Sequence, residues 1–136
     1  AIEEPDPSVT WSVAAMQKMY ESNADKFRVM EKQSREQLIR AFGAVAGRMY
    51  ALDLNHHGYS VMPNDVARLG MDAWPIPVIP VHNYSLFIDP SFSVGLLAHP
   101  WEASICAFGD PLVKQLALTP LACLGKIMRS SGHSSS

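Results

Sequence analysis

The chain has 136 residues, a length suited to one ordinary globular domain. Hydrophobic residues make up 48% of it, so a core can form without a metal or disulfide staple. The formal charge is −2, from 11 Lys and Arg against 13 Asp and Glu, which lacks the basic excess of a nucleic-acid-binding domain. The cations that cluster between Lys26 and Arg48 are interpreted as a solvated helix face; the alternative is a surface for an acidic or phosphorylated partner.

Signals for export and for membrane insertion do not occur in the sequence. Its first residues are acidic rather than basic and apolar, and it has no run of about 18 apolar residues. The two cysteines, Cys106 and Cys123, match neither a disulfide framework nor a zinc-binding spacing. We therefore expect a cytoplasmic protein, in a reducing compartment and without a membrane span.

The N-terminal part predicts an arm and then a strand. Residues 1–8 carry two prolines and should form an extended arm. The alternation of Val9, Trp11 and Val13 with polar residues predicts a strand, and a helix running to Tyr20 is the alternative.

The longest helical pattern runs from about Asn23 to Gly47. Asn23 or Asp25 can cap its start, and Gly47 can supply a left-handed residue at its end. Charged residues fill the face opposite the apolar stripe, so the stripe is assigned to the core. The stripe consists of Phe27, Met30, Leu38, Ala41, Phe42 and Val45.

Strand-like segments follow the helix. Residues 49–54 and 59–61 predict two strands joined by a turn at 55–58. Segment 62–73 is mixed, with one helical turn expected between Asn64 and Leu69. Segment 74–80 carries three prolines and should run extended at an edge of the sheet or across its surface, because proline cannot donate to a ladder.

The C-terminal half predicts three more strands and short helices. The strands are expected over 84–88, 93–98 and 103–108. Asp110 can cap a helix that has Pro111 at its first position and ends near Leu118. A last short helix is expected over 121–128 and a disordered tail over 130–136.

These elements predict a single α+β domain over residues 9–129. One long amphipathic helix should pack on a mostly antiparallel sheet of about five short strands, with a short C-terminal helix. No nucleotide-binding, metalloprotease or nucleophile-elbow motif is present, so we expect no cofactor and no metal.

The richest cluster of reactive residue types is His99-Pro100-Trp101-Glu102. It falls between two predicted strands, where His99 and Glu102 could act as acid and base. The structural alternative is that Pro100 shapes the turn, Trp101 fills the core and Glu102 faces solvent.

A second polar cluster lies at the predicted turn 55–58. Asp53 could orient a histidine ring, which makes His56 a supporting catalytic residue and His57 a binding residue. Neighbouring histidines of a strand point to opposite faces, so a metal site that adds His82 or His99 is the weaker interpretation.

The aromatic residues suggest a ligand groove. If the proline-rich segment covers the sheet, Trp74 and Trp101 could line a groove together with Tyr59 and His82. The alternative assigns most of these aromatic residues to the core.

Three stretches of the chain resemble a bacterial family, the domain of unknown function 2716. They are residues 49–56, 74–80 and 99–109, similar to the family patterns ALDWQH, WPxPVxPxGDY and GHPWEQTxCVFG in the same order. The resemblance covers about residues 7–118 and implies no activity. Asn83 stands where the pattern has an acidic residue, which indicates altered chemistry if a family site uses that acid.

The sequence supports two classes of function. The first is a binding domain for a small molecule or a protein, such as an immunity-type partner of a toxin, through the groove of aromatic and histidine residues. The second is a cofactor-independent enzyme, a cyclase, isomerase or hydrolase, in which His99 and Glu102 act with His56. A homodimer is compatible with either class.

Overall fold

The computed structural model describes residues 7–53, 58–63 and 76–131. Within these ranges the chain forms three helices and one antiparallel sheet of seven strands, so the predicted α+β class is confirmed. The strands are β1 (Ser8–Ser12), β2 (Met49–Asp53), β3 (Gly58–Val61), β4 (Ser85–Ile88), β5 (Gly95–His99), β6 (Ser104–Phe108) and β7 (Ile127–Ser131). The helices are α1 (Ala14–Ser22), α2 (Ala24–Val45) and α3 (Asp110–Leu118).

The order of strands in the sheet is β3-β2-β4-β5-β6-β1-β7. Strands β4, β5 and β6 follow one another both in the chain and in the sheet, as short connections favour. The first strand, β1, lies between two strands from the end of the chain, with Ser8 opposite Phe108 on one side and Ser131 on the other.

The hydrophobic core lies between one face of the sheet and the helices. The strand register places Val9, Leu96 and Ala107 on the same face, and all three belong to the core cluster. Leu38 and Phe42 of α2 are fully buried in that cluster. Burying such a side chain stabilises the folded state by about 1.5–3 kcal/mol, so the stripe of α2 is what joins the two layers.

The predicted N-cap of α2 is confirmed, whereas the predicted C-terminal stop is wrong. Asn23 precedes the helix, and its side chain accepts a hydrogen bond from the backbone N–H of Lys26 at 3.2 Å. The helix ends at Val45, and Ala46 leaves it in an extended conformation with φ −150°. The prediction of a left-handed stop at Gly47 is wrong, because the chain turns directly toward β2.

The N-terminal part combines the two alternatives that the sequence left open. A strand covers Ser8–Ser12, starting one residue inside the predicted arm, and a helix covers Ala14–Ser22. At α3, Gly109 precedes the helix with φ 89°, and Asp110 is its first residue instead of its cap. That left-handed φ explains why glycine stands there.

The predicted last helix over 121–128 is wrong. The backbone N–H of Ala122 donates to Oε1 of Gln37 at 2.5 Å, and that of Cys123 donates to Oγ of Ser34 at 3.1 Å. Further along, the N–H of Gly125 donates to the carbonyl oxygen of Ser12 at 2.7 Å, and the carbonyl oxygen of Lys126 accepts from the N–H of Ser12 at 2.9 Å. These bonds to β1 take backbone groups that a helix over 121–128 would have paired internally. The chain then pairs with β1 as β7, so Ser130 and Ser131 belong to a strand although the sequence assigned them to the tail.

Gly95 in β5 gives a stability test with a matched control. A Cβ at Gly95 would overlap the Phe108 ring and lie 2.9 Å from the carbonyl oxygen of Phe87, whereas a Cβ at Gly47 would meet nothing within 4 Å. We expect Gly95→Ala to lower the free energy of unfolding by about 1–3 kcal/mol and Gly47→Ala to change it by less than about 0.5 kcal/mol. Urea denaturation measures both; equal effects would contradict the close packing at Gly95.

Candidate functional site

Segment 76–81 is held against α2 by the buried side chain of Glu31. Its Oε1 accepts from the N–H of Ile79 at 2.8 Å, and both of its oxygens lie within 3.1 Å of the N–H of Val78. Arg35, one turn along the helix, donates from Nε to Oε2 at 2.6 Å. Because the buried carboxylate is paired and hydrogen-bonded, its burial is compatible with a stable fold.

Segment 76–81 is also hydrogen-bonded to α1. Nε2 of Gln17 donates to the carbonyl oxygen of Pro80 at 2.9 Å and to that of Pro100 at 2.8 Å. Segment 76–81 is therefore attached to both helices, and through Gln17 it is also attached to the β5–β6 turn (residues 100–103).

A cavity of about 290 Å³ lies between α1, α2, segment 76–83 and the ends of β2 and β4. Its apolar wall is formed by Tyr20, Phe27, Ile79 and Val81. The Tyr20 ring meets Phe27 edge-on at 5.2 Å and His82 edge-on at 5.6 Å. This size and mostly apolar lining are those of a small-molecule site.

The polar groups of the cavity include two arginines, Arg28 and Arg35, and two carboxylates, Glu31 and Asp53. Arg35 is 28% exposed, and among the described residues its guanidinium bonds only to Glu31, through Nε. Arg28 also lines the cavity and pairs with Asp25, which is 88% exposed. Asp53, His82, Asn83 and Ser85 complete the polar wall.

Ser85 is the buried hydroxyl of this wall. It is 5% exposed and lines the cavity, and no side-chain hydrogen bond joins it to another described residue. A ligand in the cavity could therefore form a hydrogen bond with this hydroxyl, which can both donate and accept.

Outside the cavity, the β5–β6 turn and its neighbours form a polar cluster around His99. The backbone N–H of Glu102 donates to Nδ1 of His99 at 3.1 Å, which assigns the ring proton of the neutral imidazole to Nε2. Nε2 lies 3.3 Å from Oη of Tyr84, and the two rings are 4.6 Å apart. Both ring nitrogens of His99 therefore contact the protein itself.

The Glu102 carboxylate is turned toward β7. Its two oxygens accept from Arg129 at 2.8 and 3.1 Å, and Oε1 also accepts from the Ser104 hydroxyl at 2.6 Å. Arg129 and then Ser104 hold the pKa of the Glu102 carboxyl below its ordinary value of 4.5, against a smaller opposing effect of burial. At neutral pH this group is an ionised acceptor and has no proton to donate.

The structure separates the predicted site residues. His82 lines the cavity, whereas His99 and Glu102 lie at the β5–β6 turn. Trp101 is 81% exposed, so it neither fills the core nor belongs to the cavity wall. Tyr59 belongs to β3, and its predicted role stays a prediction.

Other predicted residues fall outside the described ranges. These are His56, His57 and Trp74, together with the helical turn expected between 64 and 69. Within residues 7–53, 58–63 and 76–131, no group of three His, Cys, Asp or Glu side chains is arranged to hold a metal ion.

Sequence reasoning missed the central polar residues of the cavity. Glu31 and Arg35 read as a solvated helical pair, since their spacing of four residues is common on exposed helix faces. Ser85 stands at the start of a strand and carried no signal. One clue was available. Glu31 lies on the same side of α2 as the apolar stripe, and the proline-rich segment later in the chain has backbone N–H groups that cannot pair in a sheet and need another acceptor.

Both cysteines are free and buried. Burial raises the pKa of the Cys123 thiol to about 12. A thiolate nucleophile at Cys123 is therefore disfavoured.

The fold and the cavity define a small α+β domain in which helices cover one face of an antiparallel sheet. The chain belongs to the family "Protein of unknown function (DUF2716)", whose model matches residues 1–113. This confirms the resemblance carried by the three motifs. Strand β7 and its Arg129 lie beyond the matched residues.

A relative from Bacillus subtilis (strain 168), "Uncharacterized protein YxiI", is 36% identical over 87 residues. The match covers 61% of this chain and 54% of the relative, so the chain spans about half the length of that protein. No solved structure matches. None of the helices that the structure describes is long and apolar enough to span a bilayer.

The Ser85 hydroxyl, which makes no side-chain hydrogen bond to a described residue, predicts a small mutational effect. Ser85→Ala should leave the free energy of unfolding within about 0.5 kcal/mol of wild type or raise it, because no hydrogen bond to a described residue is lost. Ser34→Ala is the matched control, since buried Ser34 accepts from the N–H of Cys123 and its loss should cost about 1–3 kcal/mol. A loss at Ser85 as large as that at Ser34, in urea denaturation, would contradict the assignment.

The lowered pKa of Glu102 predicts a specific loss of stability in acid. A carboxyl whose pKa is lower in the folded state stabilises the fold at neutral pH, and this contribution disappears as the pH falls through the folded pKa, below 4.5. The stability advantage of wild type over Glu102→Gln should therefore shrink between pH 7 and pH 3. In an Arg129→Gln background most of this pH dependence should be absent; an unchanged dependence there would refute the role of Arg129.

Proposed function

We propose that this domain binds a small organic molecule in the cavity between α1, α2, segment 76–83 and the ends of β2 and β4. The observation that carries the proposal is the cavity itself, about 290 Å³ in volume, which combines an aromatic and aliphatic wall with charged and hydrogen-bonding side chains. Sites for small molecules have this composition.

The attachment of segment 76–81 supports the proposal. Glu31 fixes it to α2 through Val78 and Ile79, and Gln17 fixes its end at Pro80. A wall that is already fixed in the free protein needs little ordering when a ligand binds, which favours affinity.

The enzymatic alternative is less well supported. His99 and Glu102 adjoin one another, but the Glu102 carboxylate is bound to Arg129 and Ser104, and both nitrogens of His99 contact the protein. An acid–base pair would need at least one of these groups to face a substrate.

A protein partner, including the immunity-type partner, is favoured by a different observation. Trp101 is 81% exposed, and Ile127 and Met128 of β7 are 59% and 42% exposed. Exposed aromatic and aliphatic side chains are common in protein interfaces. None of these three residues lines the cavity, so the two candidates can be tested independently.

Blocking the cavity tests the proposal. Val81→Trp should fill space in the cavity wall, whereas Val29→Trp adds the same side chain at a position of α2 that is 55% exposed and outside the cavity. A set of fragments containing acids, amines and neutral compounds would be screened by ligand-observed NMR. We expect fragments that bind wild type and Val29→Trp but bind Val81→Trp at least about tenfold more weakly.

The screen can also refute the proposal. If both folded variants bind the same fragments equally well, or if the whole set gives no binder sensitive to Val81→Trp, the cavity is not a ligand site.

A further inference from the structure

We infer that the ligand of this cavity is a small organic acid with an aromatic or branched body, whose carboxylate binds the Arg35 guanidinium. This inference rests on the proposed function, since it assigns a ligand class to the same site. It is carried by the orientation of Arg35, by the occupation of the Glu31 oxygens and by the buried hydroxyl of Ser85, which has no side-chain hydrogen bond to a described residue.

Arg35 is oriented before any ligand arrives. Its Nε donates to Glu31 at 2.6 Å, which fixes the plane of the guanidinium on α2. Its two Nη atoms make no hydrogen bond to a described residue, although the side chain is only 28% exposed. A guanidinium held through Nε presents its Nη atoms to a carboxylate, the geometry in which arginine binds organic acids.

The nearby acidic groups do not favour a cationic ligand over an anion. Both oxygens of Glu31 already accept hydrogen bonds from Val78, Ile79 or Arg35, so they have little capacity left for an ammonium group. Arg28 adds a second positive charge, and its partner Asp25 is not part of the cavity wall.

Asp53 is the remaining carboxylate of the wall, and it has an interaction of its own within the structure. An amine that binds at Asp53 is therefore the competing ligand class, and the experiment includes an amine to test it.

The other groups of the cavity fit the body of such an acid. Tyr20 and Phe27 meet edge to face and offer ring surfaces, and Val81 supplies aliphatic surface. Ser85 offers a buried hydroxyl that can donate to a ligand oxygen.

Three probes of nearly equal shape separate the ligand classes. They are 4-fluorobenzoate, 4-fluorobenzamide and 4-fluorobenzylamine, which are anionic, neutral and cationic at pH 7. Their dissociation constants would be measured by ¹⁹F NMR with wild type and with Val81→Trp. We expect benzoate to bind at least about tenfold more tightly than the amide and the amine, the ratio that one charge-assisted hydrogen-bonded pair supplies.

Variants of two arginines test whether the carboxylate of the probe binds Arg35. Arg35→Lys keeps the positive charge beside Glu31 but removes the planar pair of donors, so benzoate affinity should fall at least about tenfold while amide affinity changes less than about twofold. Arg40→Lys is the control, because Arg40 is exposed on the same helix and outside the cavity. An equal loss for benzoate and amide would indicate a distorted cavity and would refute the carboxylate contact.

Ser85→Ala provides a second variant that should keep the fold. It should weaken benzoate binding about threefold or more, the loss expected for one hydrogen bond. Unchanged affinity in both Ser85→Ala and Arg35→Lys would place benzoate elsewhere and overturn the inference.

The two proposals fail in different ways. If amides or amines bind in a manner sensitive to Val81→Trp and benzoate does not, the organic-acid inference is wrong and the small-molecule function stands. If none of the three probes and no fragment of the wider set shows that sensitivity, both are wrong.

Discussion

The hydrogen bonds between the Glu31 carboxylate and segment 76–81 are the constraint on which the cavity depends. Pro77 and Pro80 have no backbone N–H and keep this segment out of the sheet, yet Val78 and Ile79 between them are buried and each has a donor to satisfy. Glu31 accepts from both, and Arg35 balances its charge. The same contact that satisfies the backbone therefore sets the distance between α2 and the segment, and that distance makes the cavity.

The cavity and the His99 cluster are joined by α1. Gln17 donates to a carbonyl oxygen on each side, Pro80 at the end of the cavity wall and Pro100 at the β5–β6 turn. The turn is itself ordered by His99 and Glu102, whose bonds run to Tyr84 and to Arg129 of β7. His99 and Glu102, the predicted acid and base, thus make hydrogen bonds within the turn to which Gln17 of α1 is bound, and polar residue types alone could not reveal these contacts.

Most of the fold follows from periodicity, and the parts that do not follow depend on long-range contacts. The helical stripe with Leu38 and Phe42, and the alternation in the central strands, predicted the two layers because burial on one face imposes those periods. β7 was missed because its partner is β1, more than 100 residues earlier in the chain, and no local pattern in residues 121–131 indicates that pairing. His82 was a predicted binding residue and lines the cavity, but its binding role stays a prediction. Arg35 was not predicted, since nothing in its helical neighbourhood shows that segment 76–81 will cover it.

The position of β1 between β6 and β7 determines when the sheet can be completed during synthesis. β1 is synthesised long before either of its partner strands. Ser8 can therefore pair only after Phe108 on one side and Ser131 on the other have been made. Until then Val9 and Trp11 have no sheet to join, and closing so long a loop costs entropy that only the finished ladders offset. The nascent chain can form α2 and its local turns early, but the earliest strand of the chain is completed last, and its apolar side chains stay available to chaperones throughout that interval.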